Sequence, residues 1–123
     1  MNIILGHENV NDVGDRHIVL ELDTMRFSGS DKTVTAYCLV EQMPLEEMFV
    51  VINFIDLHTN LMKNYRLRNW KFCEDALEHL RGKWRGELDS FYDTLASRVA
   101  AYQANDPGAE WDGVINKEIP LTS

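Results

Sequence analysis

A chain of 123 residues, 45% hydrophobic and 26% charged, is long enough to bury a core without disulfides or a structural metal, and this composition argues against wholesale disorder. The formal net charge of -8 argues against a protein that coats nucleic acid over its whole surface, while leaving room for a local basic patch. Cys38 and Cys73 are the only cysteines, without a CxxC spacing, and read as free thiols in a reducing cytoplasm.

The first residues, MNIILGH, lack the basic start and long apolar stretch of a secretion signal. NIIL at 2–5 is predicted to be a short strand. HENVNDVGDR, at 7–16, is polar and rich in turn formers, and reads as a loop. From His17 to Phe27 the pattern has a period of two. Ile18, Leu20 and Leu22 are expected on one face, with Val19, Glu21, Asp23 and Met25 on the other. SGSD at 28–31 supplies a turn, and KTVTAYCLVE, with its β-branched and aromatic residues, is the partner strand. A hairpin over 17–41 follows, with 2–5 as a candidate third strand. Such a hairpin is marginal alone in water and needs a cover.

That cover is expected from helices. Pro44 suits a first helical position, and Glu46 and Glu47 complement the dipole of a first turn. Leu45, Met48, Phe49, Ile52, Ile55, Leu61, Met62 and Tyr65 recur at helical spacing and are assigned to its inner face. MFVVINFI at 48–55 would also suit a buried strand; the acidic start and the later periodicity favour helix. Its apolar core, MFVVI, is far too short to span a bilayer. Asn69 is a plausible N-cap for a second helix, with Trp70, Cys73, Leu77 and Leu80 on one face. Trp70 and Phe72 are two apart, so one of them is expected outside. Gly82 and Gly86 bracket a loop, GKWRG. A third helix from about Glu87 carries Leu88, Phe91, Tyr92, Leu95, Val99 and Tyr102 inward, and Asp106-Pro107-Gly108 stops it. The tail has no helical period and is expected to be irregular, with Trp111 and Val114 docking on the body. The expected architecture is α+β in a single domain. An antiparallel hairpin or three-stranded sheet (1–42) precedes three helices (44–105) and an irregular tail (106–123).

Two resemblances accompany this reading. The run RNWKFCEDALEHLRGKWRGELDSFY, with LELDT and TAYC before it, resembles a family of small uncharacterised proteins from marine phages and environmental sequences, which has no assigned activity to carry over. It implies a phage-derived protein in the host-cell cytoplasm. The order YRLRNWKFCEDALEHL, SFYDTLASRVAAY, PGAEWDGV, spanning roughly 57–114, is similar to the helical tail that follows class III nucleotide cyclase domains. That likeness implies a tetratricopeptide-like hairpin for the last two helices, used for contacts. About forty residues precede Met43, too few for a cyclase domain, so no activity comes with it.

Four candidate chemistries can be weighed. The segment 63–93 holds seven of the chain's twelve basic residues, Lys63, Arg66, Arg68, Lys71, Arg81, Lys83 and Arg85, with aromatic residues threaded among them. Cations neutralise phosphates and aromatic faces stack on unpaired bases, so a basic-aromatic rim is one candidate for nucleic acid or another polyanion. Against it, Glu74, Asp75 and Glu78 lie in the same segment and can pair along the helix, and cations near helix ends suit the dipole. Metal binding by Asp56, His58, Cys73, Glu74, Glu78 and His79 lacks the repeated Glu-x-x-His of a bundle site and any zinc or EF-hand spacing. The two histidines therefore read as surface or capping residues, and no metal or cofactor is expected. No GxSxG or glycine-rich phosphate loop occurs, and both cysteines read as small core residues, so catalysis is not indicated. Tyr65, Trp84, Phe91 and Tyr92, with arginines nearby, have the composition of a contact surface. The leading reading is a small cytoplasmic accessory protein acting through protein contacts or self-association, without a membrane. The second is a nucleic-acid-binding accessory protein using the rim around 63–85.

Overall fold

The computed structural model describes residues 2–6, 10, 17–27, 31–41 and 43–117. The expected loop at 7–16 and the turn at 28–31 fall, except for Val10 and Asp31, outside these residues. The chain divides into a sheet unit, from residues 2–41 and 112–117, and a helical unit of residues 43–111.

In the sheet unit, β1 (Asn2–Leu5), β2 (His17–Phe27), β3 (Thr33–Glu41) and β4 (Val114–Lys117) form a four-stranded sheet in the order β1-β3-β2-β4. β1 and β2 both pair antiparallel with β3. Ile18, Leu20, Leu22, Ala36, Cys38 and Val40 are buried, as the alternation requires. Leu20 lies opposite Cys38, which lies opposite Ile3 on its other side, so the apolar face continues to the β1 edge.

Two expectations need correction. Between Glu21 and Thr24 the register shifts by one residue, a β-bulge that turns the following side chains over. Met25 therefore lies opposite Val34 and shares the face of Ala36 and Cys38, contrary to the simple alternation. The same shift sets Thr24 opposite Thr35, their hydroxyls 2.9 Å apart. The tail is also not wholly irregular: residues 114–117 form β4, parallel to β2, so the sheet is mixed. Asp112 fixes its start. One carboxylate oxygen accepts the Val114 N–H at 3.0 Å and the other meets Arg26 at 3.3 Å. The Val114 N–H, with Arg26 beside it, holds the Asp112 carboxyl below the usual carboxylate range.

The helical unit contains α1 (Leu45–Arg66), α2 (Trp70–Leu80) and α3 (Asp89–Ala104). The segment 48–55 is helix. Pro44 is the N-cap, and Glu46 and Glu47 occupy the first turn, with Lys63 and Arg66 in the last. α1 ends in a Schellman motif. Asn69 N–H reaches the Asn64 carbonyl at 2.9 Å and Arg68 N–H reaches that of Tyr65 at 3.1 Å, with Arg68 left-handed at φ 62° where glycine is usual. Asn69 does precede α2, but without a side-chain cap; its amide instead donates to Asn64 Oδ1 at 2.8 Å. Trp70, Cys73, Ala76, Leu77 and Leu80 form the buried face of α2, and Phe72 is the exposed one of its pair with Trp70. α3 buries Tyr92, Leu95 and Val99 and stops before Asp106-Pro107-Gly108.

Candidate contact surface

The basic residues do not gather into one row. Lys63 and Arg66 in the last turn of α1, Arg68 in the turn after it and Lys71 in the first turn of α2 stand near the start of α2, whereas Arg81, Lys83 and Arg85 follow its end. An eleven-residue helix rises about 16 Å, so the two groups stand at opposite ends of it. Carboxylates also engage most of them. Arg68 meets Asp106 at 2.8 Å, Arg81 meets Asp93 at 3.1 Å and Arg85 meets Glu47 at 2.5 Å. Lys71 lies 3.8 Å from Glu74 and 3.3 Å from Asp75, and Asp75 holds its ammonium above the usual range. Lys83 sits 5.4 Å from the centre of the Phe54 ring. Four of the seven, Arg68, Lys71, Arg81 and Arg85, thus lie against carboxylates.

The aromatic residues assigned to a contact surface need a second correction. Tyr65, Trp84 and Tyr92 are at most 1% exposed, and Phe91 is half-buried. These rings carry too much apolar area to be left in water when a core is available. Tyr65 packs with Trp70, Tyr102 and Trp111, ring centres 5.1 to 6.3 Å away, and Arg98 donates to its hydroxyl at 3.3 Å. The same cluster is tied at Asp106, whose carboxylate accepts the Trp70 indole N–H at 2.9 Å, Arg68 at 2.8 Å and the Gly108 N–H at 2.8 Å. The Gly108 N–H, then Trp70 and Arg68, lower its pKa to about 2.

His58 is likewise not a surface residue. It is fully buried, its Nδ1 lies 2.9 Å from the Tyr92 hydroxyl, and the rings are 5.8 Å apart. A signal for this was present: Val51, His58, Met62 and Tyr65 follow heptad-like spacing on α1, and all are buried. His79 is exposed, with Nδ1 2.8 Å from the Asp75 carbonyl. Among the described residues, no three of His, Cys, Asp and Glu are placed to hold a metal ion. Both cysteines are buried free thiols. Burial pushes the Cys73 thiol up to about 11, which keeps it protonated and poorly nucleophilic.

The surface feature that remains is apolar. Leu45 is 73% exposed, Phe49 71%, Val50 66% and Ile52 52%. All four stand on the first turns of α1. Leu45, Phe49 and Ile52 fall at i, i+4 and i+7, one face of a helix. Helical spacing alone places Leu45, Phe49 and Ile52 inward, but the covered face is that of Val51, His58, Leu61, Met62 and Tyr65. Each such side chain would contribute roughly 1.5–3 kcal/mol if fully buried. Beside Val50 lies a groove of about 210 Å³, with Met43 and Val51 also lining it and Glu47, Lys83 and Arg85 at its polar wall. A larger groove of about 410 Å³ is lined by α2 and α3 residues that include Glu74, Asp75 and Glu78, with Lys71 and Arg81 among them.

No protein-family model, curated protein or solved structure matches the chain.

Proposed function

We propose that the protein acts through protein contacts, with the exposed apolar face of α1 as the contact surface. The observation that supports this is the set of Leu45, Phe49, Val50 and Ile52, each more than half exposed on consecutive turns of one helix. A contiguous apolar patch of large side chains marks an interaction site more often than chance exposure does. The acidic first turn, Glu46 and Glu47, borders the patch as a polar rim borders an interface core. The role is that of an accessory or self-associating protein, with contact residues different from the aromatic ones singled out in the sequence. The paired cations around 63–85 favour this reading over nucleic-acid binding.

The test is sedimentation velocity over a range of protein concentrations, on the parent chain and on Phe49→Asp with Ile52→Asp. Concentration-dependent assembly by the parent that disappears in the double variant, with circular dichroism unchanged, supports the proposal. Assembly unaffected by the two charges would refute this face as the contact surface.

A further inference from the structure

We infer that the groove between α2 and α3 takes a lysine- or arginine-rich helical segment of a partner protein, its cations meeting Glu74 and Glu78 and an apolar side chain lying over Ala96. This is a second contact site, argued without the α1 face. The groove holds about 410 Å³, within the roughly 300–1,000 Å³ of sites that hold a ligand. Its floor is apolar, with Leu77 from α2 and Ala96 and Val99 from α3. Its polar lining is mostly acidic: Glu74, Asp75 and Glu78 stand against Lys71 and Arg81. Internal pairing does not cancel that excess. Lys71 is shared by Glu74 and Asp75, and Arg81 is taken by Asp93 of α3. Glu78 has no ion pair among the described residues. With Asp93 counted, four carboxylates face two cations, an excess of two negative charges. Glu74 and Glu78 are about one turn apart, roughly 6 Å along α2, so cations at i and i+4 of an incoming helix match their spacing. The three lining carboxylates belong to exposed residues, while Leu77 and Val99 are buried and fixed beneath them. Local and overall charge have the same sign here, since the chain carries -8. Both attract a basic segment, and both oppose an acidic segment, a nucleic acid or a second copy.

The experiment uses two fluorescein-labelled helical peptides built on leucine and alanine, one with Lys and one with Glu at i and i+4. Fluorescence anisotropy is read at low and physiological salt. The Lys peptide should bind the parent chain about tenfold more tightly than the Glu peptide. Glu74→Gln with Glu78→Gln should remove most of that preference and leave the thermal midpoint unchanged, because Asp75 still holds Lys71. Ala96→Leu keeps every charge and fills the groove, so it should weaken the Lys peptide about tenfold. Glu46→Gln with Glu110→Gln removes the same charge from exposed residues outside the groove and should leave binding as it was. Equal binding of the two peptides, or no binding of the Lys peptide at low salt, would overturn the inference. Equal losses from the groove pair and the outside pair would overturn it too, by showing attraction to net charge alone. Self-assembly of the parent chain that is lost in Ala96→Leu would give the groove to a second copy instead of a basic partner.

Discussion

The indole N–H of Trp70 donates to the carboxylate of Asp106, 2.9 Å away and 36 residues later in the chain. It ties the start of α2 to the segment just after α3, and Arg68 and the Gly108 N–H bind the same carboxylate. Asp106 is therefore the polar anchor of the Tyr65, Trp70, Tyr102 and Trp111 cluster.

The pH dependence follows in sign. The Asp106 carboxyl is lowered from 3.8 to about 2 in the folded chain. Between those values the unfolded state binds more protons than the folded state, so stability rises with pH there. The contribution is fully present above about pH 4 and is lost as pH falls toward 2. Thermal midpoints measured across this range should fall for the parent chain and change less for Asp106→Asn. A parallel fall in both would show that Asp106 does not set the slope.

Trp84 sets a different test. It is 1% exposed, and its indole N–H has no hydrogen-bond partner among the described residues. An unmet buried donor carries a desolvation cost of roughly 1–3 kcal/mol. Trp84→Ala should remove the packing and cost about 3–5 kcal/mol. Trp84→Phe keeps most of the ring and removes the unmet donor, so it should cost markedly less. Urea denaturation of both variants decides this, and equal losses would show that the N–H is satisfied in solution.

The buried contact between His58 and Tyr92 should also be visible in stability. Removing the hydroxyl in Tyr92→Phe leaves the ring packing in place and takes away the group 2.9 Å from His58 Nδ1. A loss of about 1–3 kcal/mol is expected for an interaction so fully shielded from water. A neutral result in chemical denaturation would mean that the contact adds nothing net.

Local signals suffice for the three helices and the first three strands, but not for β4 or for which face of an element is covered. The hairpin was readable in the alternation of Ile18, Leu20 and Leu22, and α1 in its acidic first turn and helical spacing. Met25 was misplaced because a bulge leaves no mark in a period-two pattern until the partner register is known. β4 was missed because VINK is too short to show a period. On α1 two apolar faces coexist, Leu45-Phe49-Ile52 and Val51-His58-Met62-Tyr65, and periodicity treats them alike; the buried His58 marks the covered one. Tyr65, Trp84 and Tyr92 have the residue types of an interface, but those residue types also make cores, and only burial separates the two. The basic segment likewise reads as a cluster along the sequence, until the length of α2 divides it.

Chemical denaturation of Phe49→Asp tests the outward face of α1 most directly, because a charge is tolerated in water and not in a core. A free energy of unfolding within about 0.5 kcal/mol of the parent, with an unchanged dependence on denaturant, is the predicted result for an exposed side chain. A loss of about 3–5 kcal/mol, the size expected when a large ring leaves a packed interior, would contradict it and return Phe49 to the core.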